Sequence, residues 1–147
     1  MKKGFTLIEL LVVIGIMAVI AAGVVALIDP LEKTRQANDA NVQNAIGQLA
    51  TAMQSSAAQT TDGTYPVALA ALVTTGELTA LPVLPSGYSY NYTGAGVSAV
   101  VSAQLLSKKY VSKCAGGSAY WMFATGNGRA CGYCGGVPGV AAACAAW

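Results

Sequence analysis

Two groups of residues in this sequence have types and positions that could do chemistry, and the first is a single carboxylate. Glu9 is the one charged residue in the run Phe5–Ile28, which reads FTLIELLVVIGIMAVIAAGVVALI. An ionisable side chain in apolar surroundings is costly and marks a functional candidate whose cationic partner has to be found. A cut of the chain just after Gly4 would supply one, because it creates an α-amino group on Phe5, four residues from Glu9. Within one helix the two groups lie about one turn apart. The amino end of a neighbouring copy, shifted along a shared axis, reaches Glu9 more directly. Near neutral pH both are ionised, since an α-amino group titrates near ~8 and a glutamate near ~4.3 in water. Pairing offsets the cost each has when buried alone, and it sets register, because a misplaced neighbour leaves a carboxylate unpaired. That is chemistry for assembly rather than for catalysis.

The second group is Cys114, Cys131, Cys134 and Cys144, all in the last third of the 147 residues. Three chemistries fit four cysteines. In an exported, oxidising setting an even count favours disulfides. Cys131-Gly132-Tyr133-Cys134 is disfavoured as an internal structural bridge, so Cys114 is expected to bond one of that pair and Cys144 the other, with the connectivity open. Each bridge would contribute about 2–4 kcal/mol and would staple the Gly- and Ala-rich tail 131–147. A thiol–disulfide redox pair lacks its usual βαβ context, and a zinc site lacks the second CxxC of a ribbon. The chain has no histidine, which removes the commonest general base and metal ligand. Nor does it show paired carboxylates outside the apolar run or a phosphate-binding glycine loop. No catalytic residue, metal or cofactor is assigned, and an enzyme is not expected.

The element that must position Glu9 is the N-terminal run itself. As a helix, Phe5–Ile28 would be roughly 36 Å long, enough to cross a bilayer core of about 30 Å. Lys2 and Lys3 precede it, which by the positive-inside tendency places Met1 in the cytoplasm and the rest outside. A secretory signal peptide is one alternative, with Ala21-Ala22-Gly23 as its cleavage region. Against it, the apolar run is long, continues past those small residues and contains Glu9. A plain single-span anchor is another, and gives Glu9 no purpose. Gly15, Ala18, Ala22 and Ala26 form a small-residue ridge that allows close helix approach, or reflect alanine-rich composition alone. Gly23 and Pro30 are expected to weaken or kink the helix near the membrane exit.

Lys2-Lys3-Gly4 followed by Phe5-Thr6-Leu7-Ile8-Glu9-Leu10 resembles the leader and cleavage site of type IV prepilins and type II secretion pseudopilins. The resemblance is dense over about ten residues and loose over the remainder of the chain. It implies a leader of residues 1–4, a cut by a prepilin peptidase between Gly4 and Phe5, N-methylation of Phe5, and Glu9 as the registering carboxylate. It also implies an assembly helix over 5–30 and a pilin-like domain over 31–147. The partners implied are the peptidase, an inner-membrane assembly platform, membrane lipid before assembly, and further copies of the chain in a helical filament. The location implied is a single-pass inner membrane protein that is then carried to the cell surface.

Beyond the apolar run, Val42, Ile46, Leu49 and Met53 recur as one stripe of an amphipathic helix reaching about Ala58. The charges Glu32, Lys33, Arg35 and Asp39 could pair within or between helices, but are expected on its solvated face. Gln59–Gly63 reads as a turn, Pro66 opens a short apolar segment Val67–Val73, and Leu81–Pro85 is an irregular loop. Tyr88–Tyr92 alternates as a strand, Gly94–Gly96 as a hairpin loop, Val97–Leu105 as its partner, and Ser118–Ala124 as a third strand closed by Gly126-Asn127-Gly128. The expected fold is α+β: a long helix packed on a three-stranded antiparallel sheet. The tyrosine row suits cross-strand packing, or else an exposed stacking platform for glycans or single-stranded DNA. With a formal charge of +2 and only 10% charged residues, a large nucleic-acid footprint is not expected, whereas close packing of identical copies is. The calcium site of some pseudopilins needs clustered acids near the C-terminus, and none follows Glu77. The function implied is a structural filament subunit. A type II secretion pseudopilin, or a minor subunit binding DNA or surfaces, stays open beside it.

Overall fold

In the computed structural model, which describes residues 4–145, the chain divides into two compact units, Met1–Lys33 and Thr34–Trp147. Lys2, Lys3 and Trp147 lie outside the described residues. In the first unit, α1 spans Leu7–Leu27. Its side chains are almost all apolar, so no face is polar enough to prefer water, and it stands exposed over residues 7–25, with Leu7 at 80% and Val19 at 74%. By length and composition it could cross a membrane. Gly23 is absorbed within the helix. The break comes later, at Ile28, whose backbone is extended (φ −97°, ψ 119°).

Helix α2, Pro30–Gln59, starts immediately after that break. Asp29 caps it, its Oδ1 accepting from the Glu32 N–H at 3.1 Å. Pro30 occupies a first-turn position, where its missing N–H costs nothing. Proline and the capping aspartate therefore mark a helix start here rather than a kink.

In the second unit, Val42, Ile46, Leu49 and Met53 of α2 are all fully buried. They pack on one face of an antiparallel sheet with strand order β1 (Tyr90–Ala95), β2 (Ser98–Leu105), β3 (Ser118–Ala124), β4 (Arg129–Gly135). The sheet has four strands, not three. Strand β3 has the expected bounds, and β4 is the addition. The sequence of β4, RACGYCG, has no β-branched residue and two glycines, so its strand propensity is poor. It is held instead by seven paired positions along β3, from Ser118↔Gly135 to Ala124↔Arg129. The first hairpin turns at Gly96, in the left-handed region at φ 59°, so Gly94 and Ala95 pair as strand residues. Between α2 and β1 the Val67–Val73 segment yields only a single helical turn, α3 (Ala71–Thr74), with Leu72 buried. A further turn, α4 (Lys108–Val111), links β2 to β3.

The outer face of the sheet is covered too. Val100, Met122, Ala124 and Cys131 pack there under Tyr133, Val140, Ala142 and Cys144. The last residues of the C-terminal segment are pinned by the Asn127 Nδ2 donating to the Ala142 carbonyl at 2.9 Å and the Ala145 N–H donating to the Gly132 carbonyl at 2.8 Å. With both faces covered, β2 is buried almost continuously rather than at alternate positions.

Two charges, Glu32 and Asp39, are buried where a solvated face was expected. Asp39 is fully buried, so the polar face of α2 is not wholly exposed. Its Oδ1 accepts from the Tyr88 hydroxyl at 2.8 Å and the Leu106 N–H at 3.0 Å, and its Oδ2 from the Ser107 N–H at 2.9 Å. Three donors compensate the buried carboxylate and tie α2 to the end of β2.

Candidate functional site

The residues proposed for processing and assembly gather at the start of α1. Gly4, Phe5 and Thr6 precede the helix and are exposed. A Cβ on Gly4 would meet nothing within 4 Å, so the fold of the chain itself does not require glycine there. Thr6 is the N-cap of α1, with φ −84° and ψ 147°. Its Oγ1 accepts from the Glu9 N–H at 3.3 Å, while one carboxylate oxygen of Glu9 accepts from the Thr6 N–H at 3.0 Å and the Thr6 hydroxyl at 2.7 Å. This reciprocal capping box satisfies helix N-terminal donors that would otherwise be orphaned.

Glu9 is thus bonded within its own helix. Phe5, Ile8, Glu9, Val12 and Val13 line one shallow groove along the helix, so Phe5 and the Glu9 carboxylate share a face. Sequence reasoning had passed over Thr6. The signal was present, because Thr6-Leu7-Ile8-Glu9 ahead of an apolar run is the capping-box pattern.

In the second unit the cysteines form two bonds, Cys114–Cys134 and Cys131–Cys144, with Cα–Cα distances of 5.3 and 5.6 Å. The physical reason lies in β4. Side chains alternate along a strand, so residues three apart point to opposite faces. Cys134 packs with the inner core and Cys131 with the outer. Each face receives its own bridge, and the pair within the motif is back to back. Among the described residues no histidine, cysteine, aspartate and glutamate side chains gather into a group that could hold a metal ion.

The tyrosine row is not a free platform. Tyr88, Tyr90 and Tyr92 are partly buried against the inner core. Tyr90 donates to the Pro82 carbonyl at 2.8 Å and Tyr92 to the Pro66 carbonyl. Burial pushes both phenols above their ordinary range, and for Tyr92 the neighbouring Tyr65 adds to the shift. The row binds the irregular connection to the sheet.

Residues 1–25 match the model of the prokaryotic N-terminal methylation motif. Searches of curated proteins and of solved structures find no match to the chain. The matched stretch covers Gly4, Phe5, Thr6 and Glu9 together with most of α1. Over those residues the chain carries the type IV prepilin and pseudopilin signature, that of a pilin-type precursor.

Proposed function

We propose that the protein is a structural, non-enzymatic subunit of a type IV pilus-like surface filament. In this reading a prepilin peptidase cuts between Gly4 and Phe5, the new Phe5 amino group is methylated, and α1 leaves the bilayer to pack among α1 helices of other copies. An inner-membrane platform drives that transfer. Residues 1–4 are the leader, 5–30 the assembly segment, and 31–147 the pilin-like body with its disulfides Cys114–Cys134 and Cys131–Cys144.

One observation carries the reading: a lone carboxylate, Glu9, at the start of a helix whose apolar side chains are exposed all round. Such a surface has to be covered, by lipid or by its own kind. A neighbouring amino terminus is the cation that fits the groove shared by Phe5 and Glu9. The absence of any steric need for glycine at position 4 also favours a requirement set by a processing enzyme.

Mass spectrometry of the mature chain tests the reading. It is expected to begin at Phe5 and to carry one added methyl group. A mature chain starting anywhere else removes the proposed cation and the proposal with it. Recovery from sheared surface filaments supports the pilus assignment, and confinement to the cell envelope would transfer the protein to the secretion pseudopilin reading.

A further inference from the structure

Charge in the second unit is segregated along α2. Beyond Glu77 the chain has no acidic residue, while Lys108, Lys109, Lys113 and Arg129 are all basic. The bonds from Leu106 and Ser107 to Asp39 hold α4 beside that turn of α2. Lys108, Lys109 and Lys113 are exposed there. The Lys109 and Lys113 ammonium groups lie 5.1 and 6.0 Å from the centre of the Tyr110 ring, which gathers them around one aromatic side chain. Arg35, one turn earlier on α2 than Asp39, is partly exposed. Arg129 stands at the far end of the sheet and is not part of this corner.

Asp39 is buried at the corner itself, and the second unit's other acids, Asp62 and Glu77, lie toward the other end of α2. Gln59, its last residue, donates from Nε2 to Glu77 Oε1, and Asp62 is exposed just past the helix end. From Asp39 to Gln59 the helix rises roughly 30 Å. At the Gln59 end, Gln48, Thr51, Ala52 and Ser55 of α2 line an open groove with Glu77 and Leu78. Its lining has hydroxyl and amide groups, one carboxylate and no basic side chain. An ammonium on a long flexible stem suits such a groove.

We propose that the Lys109–Tyr110–Lys113 corner of one copy docks in the Glu77 groove of the next. Basic corners repel one another, and so do acidic grooves, so the contact is head-to-tail. Each copy offers one corner and one groove. The contact is therefore heterologous and leaves a free corner and a free groove at the ends of any chain of copies, as an open fibre requires. The proposal rests on the filament reading above and adds the body-to-body contact that the α1 helices do not supply.

Charge reversal in the full-length protein tests it. Lys109→Glu and Glu77→Lys are each expected to lower the yield of sheared filaments about tenfold, and the combination to return it to within about twofold of the parent. Glu77→Gln keeps a hydrogen-bonding partner for Gln59 and removes only the charge. It is expected to lower yield as well, with the melting temperature of the detergent-solubilised chain unchanged. Parental yield from the single variants, or a combination no better than either single, overturns the contact. Filaments of parental protein beginning at Phe5 would in that case still be recovered, so the contact fails alone. A parental protein that forms no filament takes both proposals down.

Discussion

Glu9 has two jobs to separate, because it caps its own helix through Thr6 and is proposed to pair with a neighbour. Glu9→Gln retains an acceptor for the Thr6 N–H and loses only the charge. It is expected to be cut normally and to enter filaments poorly, as scored by mature chain in sheared fractions. Parental filament yield from this variant would reduce Glu9 to a helix cap. Gly4→Leu is expected to accumulate as uncut precursor on a gel, although a Cβ at that position meets nothing within 4 Å in the subunit itself. Asp39→Ala belongs to stability rather than assembly. It strands the Leu106 and Ser107 N–H groups and the Tyr88 hydroxyl, and is expected to cost about 3 kcal/mol, read as a fall in denaturation midpoint at constant slope. Glu9 was legible in the sequence because a charge in an apolar run has no ordinary explanation. Asp39 was not, because it sits in a charged cluster and its backbone partners lie 67 and 68 residues away.

Elements with a dominant local pattern were the ones readable in advance. The α2 stripe declared itself by spacing, and β3 by a run of aromatic and apolar residues between turn signals. Strand β4 did not, since glycines and cysteines carry little strand preference and its existence depends on β3 beside it and on the bonds at its ends. The C-terminal cover over the outer face is likewise a tertiary fact, and it removes the alternation a one-sided sheet would show. Cys144→Ser releases one end of that cover. By the chain-entropy argument it is expected to cost about 3 kcal/mol and to raise binding of a hydrophobic dye as Val100 and Met122 are uncovered, with the inner core intact. Strand β1 adds a dependence on pH. Tyr90 and Tyr92 have phenol pKa values raised above 10.0 in the folded state, so the unfolded chain ionises first. Their contribution is whole below that pH and is lost as pH rises through the folded values. Stability is expected to fall above about pH 10 together with the ultraviolet signal of phenolate, and the Tyr90→Phe variant should soften the fall.

At the scale of the whole molecule, two kinds of surface coexist in one chain. Residues of α1 expose apolar side chains on every side, whereas the second unit buries its apolar groups on both faces of a sheet. The first needs lipid or other copies, and the second does not. Unassembled protein is therefore expected to stay with membranes through an alkaline wash and to be released by detergent. Assembled protein should appear in sheared fractions without detergent. Release of unassembled chains by the wash alone would contradict membrane insertion of α1.

The back-to-back placement of Cys131 and Cys134 on β4 bears on biogenesis. In a newly made chain these are the nearest thiols in sequence, and short loops close quickly. The bond that proximity favours is the one that the finished strand forbids, since its side chains leave on opposite sides. Oxidant alone would then populate a dead end, from which the observed pairing is reached only by thiolate attack and exchange. On the filament reading, which carries the second unit out of the cytoplasm, a disulfide-shuffling catalyst is expected to raise the yield of correctly bridged protein over oxidant alone.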